Sequence, residues 1–164
     1  MRMSMKHLAL LLAGIALTAT ACLKSTNTSN SVQEQYNTDT KLIQDYLTNH
    51  AITAQQDSSG IFYKIDSMGT GINPKLGDTI QVKYVGKLLT DSIFQKVDTA
   101  ITFILNQGLI PAWQICIPKI NAGGGIDIYS QSYFGFGGVA QPGIPANSVL
   151  IFNVQLLNVR PIQH

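Results

Sequence analysis

The chain has 164 residues, 45% of them hydrophobic and 12% charged, long enough for one domain with a sizeable core. A charged share of about half the usual quarter excludes a disordered acidic or basic tail and a long charged coiled coil. The formal net charge of +2 comes from Arg2 and Lys6, because the remaining chain sets nine basic residues against nine acidic ones. That balance leaves no basic stripe to track phosphates and argues against nucleic acid as a partner.

Residues 1–21 read as an export signal. Arg2, Lys6 and His7 make a positive start, an apolar run LALLLAGIAL follows, and Ala19, Thr20 and Ala21 are small. The run is shorter than the ~20 residues a bilayer-spanning helix needs. Small residues just before Cys22 resemble the lipobox of bacterial lipoproteins. In that family the cysteine thiol receives a diacylglycerol, the peptidase cuts before it, and the amine is acylated. Leu is usual three residues before the cysteine; Ala19 stands there here. The other reading is an ordinary secretory signal cut near Ala21, with Cys22 incidental. The only other cysteine is Cys116, so acylation of Cys22 leaves no internal disulfide. Cys116 lies in the apolar WQICI and reads as a small buried hydrophobe. Beyond the signal only His50 and His164 remain, without close Cys/His spacing, so no metal site is expected.

Residues 22–37 are then a lipidated cysteine and a tether rich in Ser, Thr, Asn and Gln, expected to stay mobile and to hold a domain off a membrane. Residues 38–58 form an N-terminal helical segment. Within it Leu42, Ile43, Tyr46 and Leu47 recur at helical spacing over 39–49, and Asp39 is a plausible N-cap or first-turn acid. Residues 59–164 form the main domain. IFYKID begins after Gly60, and 79–85 alternates with Ile80, Val82 and Tyr84 on one face. Residues 100–105 give another β-type run. Pro111 suits the first turn of a short helix through Trp113 to about Ile117. Residues 126–129 and 148–158 read as strands, with Leu150, Phe152, Val154 and Leu156 sharing a face. The expected class is α+β, an antiparallel sheet with one short helix on its apolar face. The GGG at 123–125 precedes a strand, whereas a phosphate-cradling loop needs a helix there. Gly135, Gly137, Gly138 and Gly143 shape one long surface loop.

From about Gly60 to Val159 the chain resembles the FKBP-type peptidyl-prolyl isomerases. The resemblance rests on ordered motifs: GDTIQVKYVGKL at 77–88, Phe94, ITFIL at 101–105, LIPAW at 109–113, Gly123, FGFGG at 134–138, QPGIPANSVLIF at 141–152 and NVQLLNV at 153–159. It implies a twisted five-stranded antiparallel sheet wrapped around one short helix, here with an extra N-terminal helix. It implies a pocket between helix and sheet, lined by Tyr84, Phe94, Phe103, Leu109, Ile110, Trp113, Phe136, Ile144 and Phe152. Trp113 would be the floor under the proline ring, and the Ile110 N–H would bond a substrate or macrolide carbonyl. Taken without the motif order, the same aromatics would simply be core.

Two positions depart from the family. Gln95 stands where an Asp is usual, and Phe136 replaces the Tyr of a Tyr-Gly pair. Both usual residues give polar contacts to ligand, so Gln95 and Phe136 imply reduced activity and weak tacrolimus binding. The loop at 96–100 also looks shorter than usual. The implied function is a membrane-tethered isomerase assisting the folding of exported proteins, anchored through Cys22 in the bacterial cell envelope, with the outer membrane facing the periplasm favoured. Its substrates would be Pro-containing polypeptides, with no cofactor or metal. The alternative is a catalytically weak binding module or chaperone on the same fold.

Overall fold

The computed structural model describes residues 24–162, with side chains described from Asn30. The signal segment, Cys22 and His164 lie outside the described residues. The described residues open with helix α1 (Lys24–Asn49) and strands β1 (Gln55–Gln56), β2 (Phe62–Ser67), β3 (Thr79–Leu88) and β4 (Ile93–Ile104). Helix α2 (Pro111–Cys116) follows, then β5 (Gly125–Ser130) and β6 (Leu150–Arg160). Short 3-10 turns cover Ile117–Lys119 and Ser132–Phe134. The strands form one antiparallel sheet in the order β1-β2-β5-β6-β3-β4.

The α+β architecture matches the expectation, with six strands in place of five. The sixth is β1, which pairs Gln55 with Tyr63 and Gln56 with Phe62. Two glutamines carry no strand signal of their own. The tight turn that follows makes them pair: Gly60 N–H donates to Asp57 O, and Asp57 N–H to Ile61 O. Strand β4 is longer than its 100–105 core and runs back to Ile93. Residues 96–100 are strand with an irregularity, because Val82 pairs with Ile101 and Tyr84 with Val97. Three residues, Asp98–Ala100, therefore oppose the single residue Lys83, a bulge that bends the edge strand.

The largest departure from the sequence reading is α1. The polar stretch expected to be a mobile tether is helical from Lys24 onward. Asp39 is neither cap nor first turn: it sits mid-helix, fully buried, and bonds Ser132. Of the expected stripe, Ile43, Tyr46 and Leu47 are buried, while Leu42 is exposed. The buried side extends instead along Tyr36, Asp39, Ile43 and Tyr46, spacings of three and four that share a helix face. Polar members hid this stripe from a hydrophobicity reading. The helix ends in a Schellman arrangement: Ile52 N–H donates to Leu47 O (2.9 Å) and Ala51 N–H to Thr48 O (3.1 Å), with Ala51 left-handed at φ 51°.

Two cores lie on opposite faces of the sheet. In front, α2 packs Ala112, Trp113 and Cys116 against Ile80, Val82, Ile126, Ile128, Leu150, Phe152, Val154 and Leu156. Behind, α1 packs Ile43, Tyr46 and Leu47 against Phe62, Tyr129 and Ile151. Strand alternation assigns Ile128 to the front and Tyr129 to the back, and Phe152 to the front and Ile151 to the back. The sheet also carries a groove of about 510 Å³ of mixed lining, with Asp66, Lys83, Asp127, Asn153 and Gln155 beside Val85, Val97 and Leu157.

Candidate active site

At one end the front core gathers a box of aromatic rings. Pro111 starts α2, with its fixed φ suited to the first helical position. Two residues later, Trp113 is buried at 4% exposure against the sheet. Its ring meets Tyr84 at 4.9 Å, Phe152 at 5.6 Å and Phe103 at 5.7 Å, each nearly perpendicular. Phe94 meets Phe152 edge-on at 5.8 Å. Edge-to-face packing of this kind aligns positive ring edges with negative faces. Tyr84 comes from β3, Phe94 and Phe103 from β4, and Phe152 from β6, so the box stands on three adjacent strands and one helix.

Gly86 makes room for it. A Cβ at this position would lie 2.5 Å from Phe94 Cε2 and 3.2 Å from Phe152 Cε1. Phe94 is itself the extra residue of a bulge, since Gly86 pairs with Gln95 and Lys87 with Ile93. The bulge re-aims one side chain, and the missing Cβ lets the Phe94 ring settle on the strand.

Leu109, Ile110 and Ile144 pack on the same core. The Ile110 C=O accepts from Trp113 and Gln114 N–H, while among the described residues its own N–H has no acceptor. Trp113 Nε1–H is buried and likewise has no partner among the described residues. A floor of rings beside the unused backbone N–H of Ile110 suits an apolar ligand bearing a carbonyl, while the Trp113 Nε1–H is closed off in the interior. Burial raises the Tyr84 pKa above its ordinary value, so its hydroxyl stays protonated at neutral pH.

The structure does not bring two of the sequence-selected residues into this ring set. Gln95 is exposed, and Phe136 is 37% exposed with no ring contact to the box among the described residues. Phe136 sits on the loop between β5 and β6. That loop returns to the box at its far end, where the Cβ position of Gly143 lies 3.6 Å from Phe94 Cβ and Ile144 is buried.

Cys116 lies behind Trp113. Burial pushes its thiol up to about 12, so it is no nucleophile. Among the described residues no group of three or more His, Cys, Asp or Glu is placed to hold a metal. The triple glycine is a packing device: a Cβ at Gly124 would lie 2.7 Å from Met68 O and 2.8 Å from Ser67 O.

The family described as FKBP-type peptidyl-prolyl cis-trans isomerase matches residues 70–157, the stretch that carries the whole ring box. The chain belongs to that family. FKBP-type peptidyl-prolyl cis-trans isomerase FkpA of Escherichia coli is 36% identical over 107 residues, 63% of this chain and 39% of that protein. FK506-binding protein 4 of Chaetomium thermophilum is 32% identical over 96 residues, 57% of this chain and 20% of that one. The chain thus spans well under half the length of these relatives. The crystal structure of Escherichia coli FkpA superposes with a TM-score of 0.68 at 28% identity, covering 83% of this chain and 66% of that one. A peptidyl-prolyl cis-trans isomerase from Pseudomonas syringae pv. tomato shares the fold, with a TM-score of 0.66 at 20% identity over 79% of this chain and 96% of that one. Such coverage of this chain reaches beyond the 88 residues of the family match, to elements that flank it.

Proposed function

We propose that this domain catalyses cis–trans isomerisation of X–Pro bonds in polypeptides, with the proline ring on Trp113. The observation that carries this reading is the box of Tyr84, Phe103, Trp113 and Phe152 beside the acceptor-free N–H of Ile110. An X–Pro bond prefers trans only slightly, yet crossing between isomers takes about 18–20 kcal/mol because the twisted amide loses resonance. The twisted state has a less polar carbonyl and a pyramidal nitrogen. A dry ring box disfavours the planar, dipolar ground state relative to it, and the Ile110 N–H fixes the chain through a carbonyl. No step needs a covalent intermediate.

The test is a protease-free isomerisation assay on a short X–Pro peptide. Catalysed exchange in the parent, lost in Trp113→Leu with the fold retained, supports the reading. Binding of the peptide without catalysed exchange would favour the alternative of a binding module, which the exposed Gln95 and Phe136 recommend. Tacrolimus should bind weakly. One neutral hydrogen bond is worth about 0.5–1.5 kcal/mol, so the missing hydroxyl at Phe136 lowers affinity roughly two- to twelvefold, and the missing carboxylate at Gln95, a charged partner, adds about tenfold or more.

The setting proposed for this activity is the bacterial envelope, with Cys22 acylated and the domain assisting the folding of exported proteins. The supporting observation is Ala19-Thr20-Ala21 before Cys22, after a short apolar run. Fatty-acid labelling should mark the protein, and Cys22→Ala should abolish both label and membrane association; undiminished labelling would refute the anchor.

A further inference from the structure

Helix α1 lies outside the 70–157 family match, yet it grips the segment that leads into the pocket loop. Asp39 and Ser132, 93 residues apart, are both buried. Asp39 Oδ2 accepts from the Ser132 N–H at 2.8 Å and from the Ser132 hydroxyl at 2.5 Å, while Oδ1 accepts from Gln35 Nε2 at 2.7 Å. Beside them Gln131 Nε2 donates to Thr40 Oγ1 and to Gly60 O, and Tyr36 meets Phe134 edge-on at 6.3 Å. Among the described residues no basic side chain pairs with Asp39. A buried carboxyl group without a cation is a costly way to seat a helix, and a well-packed apolar side chain would often serve stability better. What it gives in return is directional: it fixes one residue of the partner segment.

That residue governs the loop. The Ser132 carbonyl accepts from Gly135 N–H at 2.9 Å and from Gly137 N–H at 2.8 Å, the two amides that flank Phe136. Gly137 is left-handed at φ 56°, and its own carbonyl accepts from Asn147 N–H at 2.8 Å. At the far end Gln141 and Ile144 exchange two backbone hydrogen bonds, which seats Ile144 in the front core and Gly143 against Phe94. A continuous path of hydrogen bonds thus runs from α1 through Ser132 to both sides of Phe136.

We propose that Asp39 is a positioning residue for the isomerase pocket: through Ser132 it fixes the near end of the β5–β6 loop around Phe136, the loop whose far end seats Ile144 in the front core, so that α1 belongs to the active-site apparatus. The inference rests on the isomerase reading above. Its test compares Asp39→Ala, Asp39→Asn and Ser132→Ala in the full chain with Ile43→Val. Ile43 is buried one helical turn further along the same face and is not part of the hydrogen-bond path. Two readouts are taken at a temperature where circular dichroism shows each variant folded: kcat/KM on an X–Pro peptide, and amide exchange at Gly135 and Gly137. Asp39→Ala should speed Gly137 exchange about tenfold or more and lower kcat/KM about five- to tenfold, with Asp39→Asn and Ser132→Ala intermediate, while Ile43→Val changes neither beyond its global stability. If Asp39→Ala does not fold, the other two variants carry the comparison. Equal effects in Ile43→Val, or faster Gly137 exchange with kcat/KM unchanged, overturn the proposal. An inactive parent defeats the isomerase reading and with it the catalytic part of the proposal; Gly137 exchange then still decides whether Asp39 holds the loop.

Discussion

The front of the sheet, under α2, and the back, under α1, bury their side chains in different ways. The front core is aliphatic and aromatic almost throughout, and its buried orphan is one indole N–H. The back joins a smaller apolar patch to a polar seam of Asp39, Gln131 and Ser132 at one end, where among the described residues Gln131 Oε1 alone is left unpaired, and Tyr46 O–H donating to Asp91 at the other. An apolar box accepts a ligand by shape and dryness and demands little directional precision of it. A hydrogen-bonded seam holds one geometry and penalises others by leaving buried groups unpaired. The molecule places the tolerant surface where a flexible polypeptide must enter, and the exacting one where a helix must keep a loop in place.

The largest expected effect is on the tolerant side. Trp113→Ala should cost about 3–5 kcal/mol, as truncation of a packed indole does, and remove catalysis. Trp113→Leu should recover much of the stability but not the activity. Denaturant unfolding beside the peptide assay separates the two, and full activity in Trp113→Leu would show that the ring is core and nothing more. Next comes Gly86→Ala. The added methyl would overlap the Phe94 ring at 2.5 Å, and overpacking costs about 1–3 kcal/mol. Because Phe94 must move, kcat/KM should fall further than the stability loss explains. A variant with unchanged activity would place the Phe94 ring outside the working pocket.

An ion pair joins the β1–β2 turn to the 3-10 turn that follows α2, and its worth depends on pH. Lys119 Nζ donates to Asp57 Oδ2 at 2.5 Å, with both side chains mostly buried. That hydrogen bond, helped by the Ser59 N–H, holds the Asp57 carboxyl well below the usual carboxylate range. Its pKa is therefore lower folded than unfolded, and the stabilisation is complete above the unfolded value of about 4. It is lost as pH falls through the lower folded value. Asp57→Asn should cost about 1–2 kcal/mol at pH 7, and the difference from the parent should shrink steadily below pH 4 in urea melts. A gap that persists unchanged at pH 2 would assign the effect to packing.

The two faces also differ in how far the sequence disclosed them. The ring box follows from residue type and motif order, since Tyr84, Phe103, Trp113 and Phe152 lie on elements whose apolar periodicity is plain. Gln95 and Phe136 illustrate the limit: a family position names a residue without saying how far its side chain is exposed. The back seam was not legible. Asp39 before an apolar stripe looks like a cap, and only the fold brings Ser132 to it across 93 residues. The part of α1 around Tyr36 was hidden for the same reason, because Tyr36 and Asp39 make polar or partly polar contacts. Strand β1 exists by virtue of its turn. What was missed was long-range or directional, and local composition encodes neither.

The smallest effect tests the back face without touching the seam. Ala51 closes α1 in the left-handed region at φ 51°, where a Cβ crowds the backbone and glycine is at ease. The Schellman bonds it completes bring Ile52 onto the patch that holds Leu47, so the conformation is imposed by burial on both sides. Ala51→Gly removes the crowding, at the cost of a more flexible unfolded chain. The left-handed penalty for alanine, roughly 1–2 kcal/mol, exceeds the entropic loss of about 0.4–1. The variant should therefore be more stable by about 0.5–1 kcal/mol, read as a higher denaturant midpoint at unchanged m-value. Its kcat/KM should equal that of the parent, because Ala51 is not part of the Asp39–Ser132 path. A gain in stability accompanied by altered turnover would mean that the C-terminal end of α1 also reaches the pocket, and the division between the two ends of the back face would have to be redrawn.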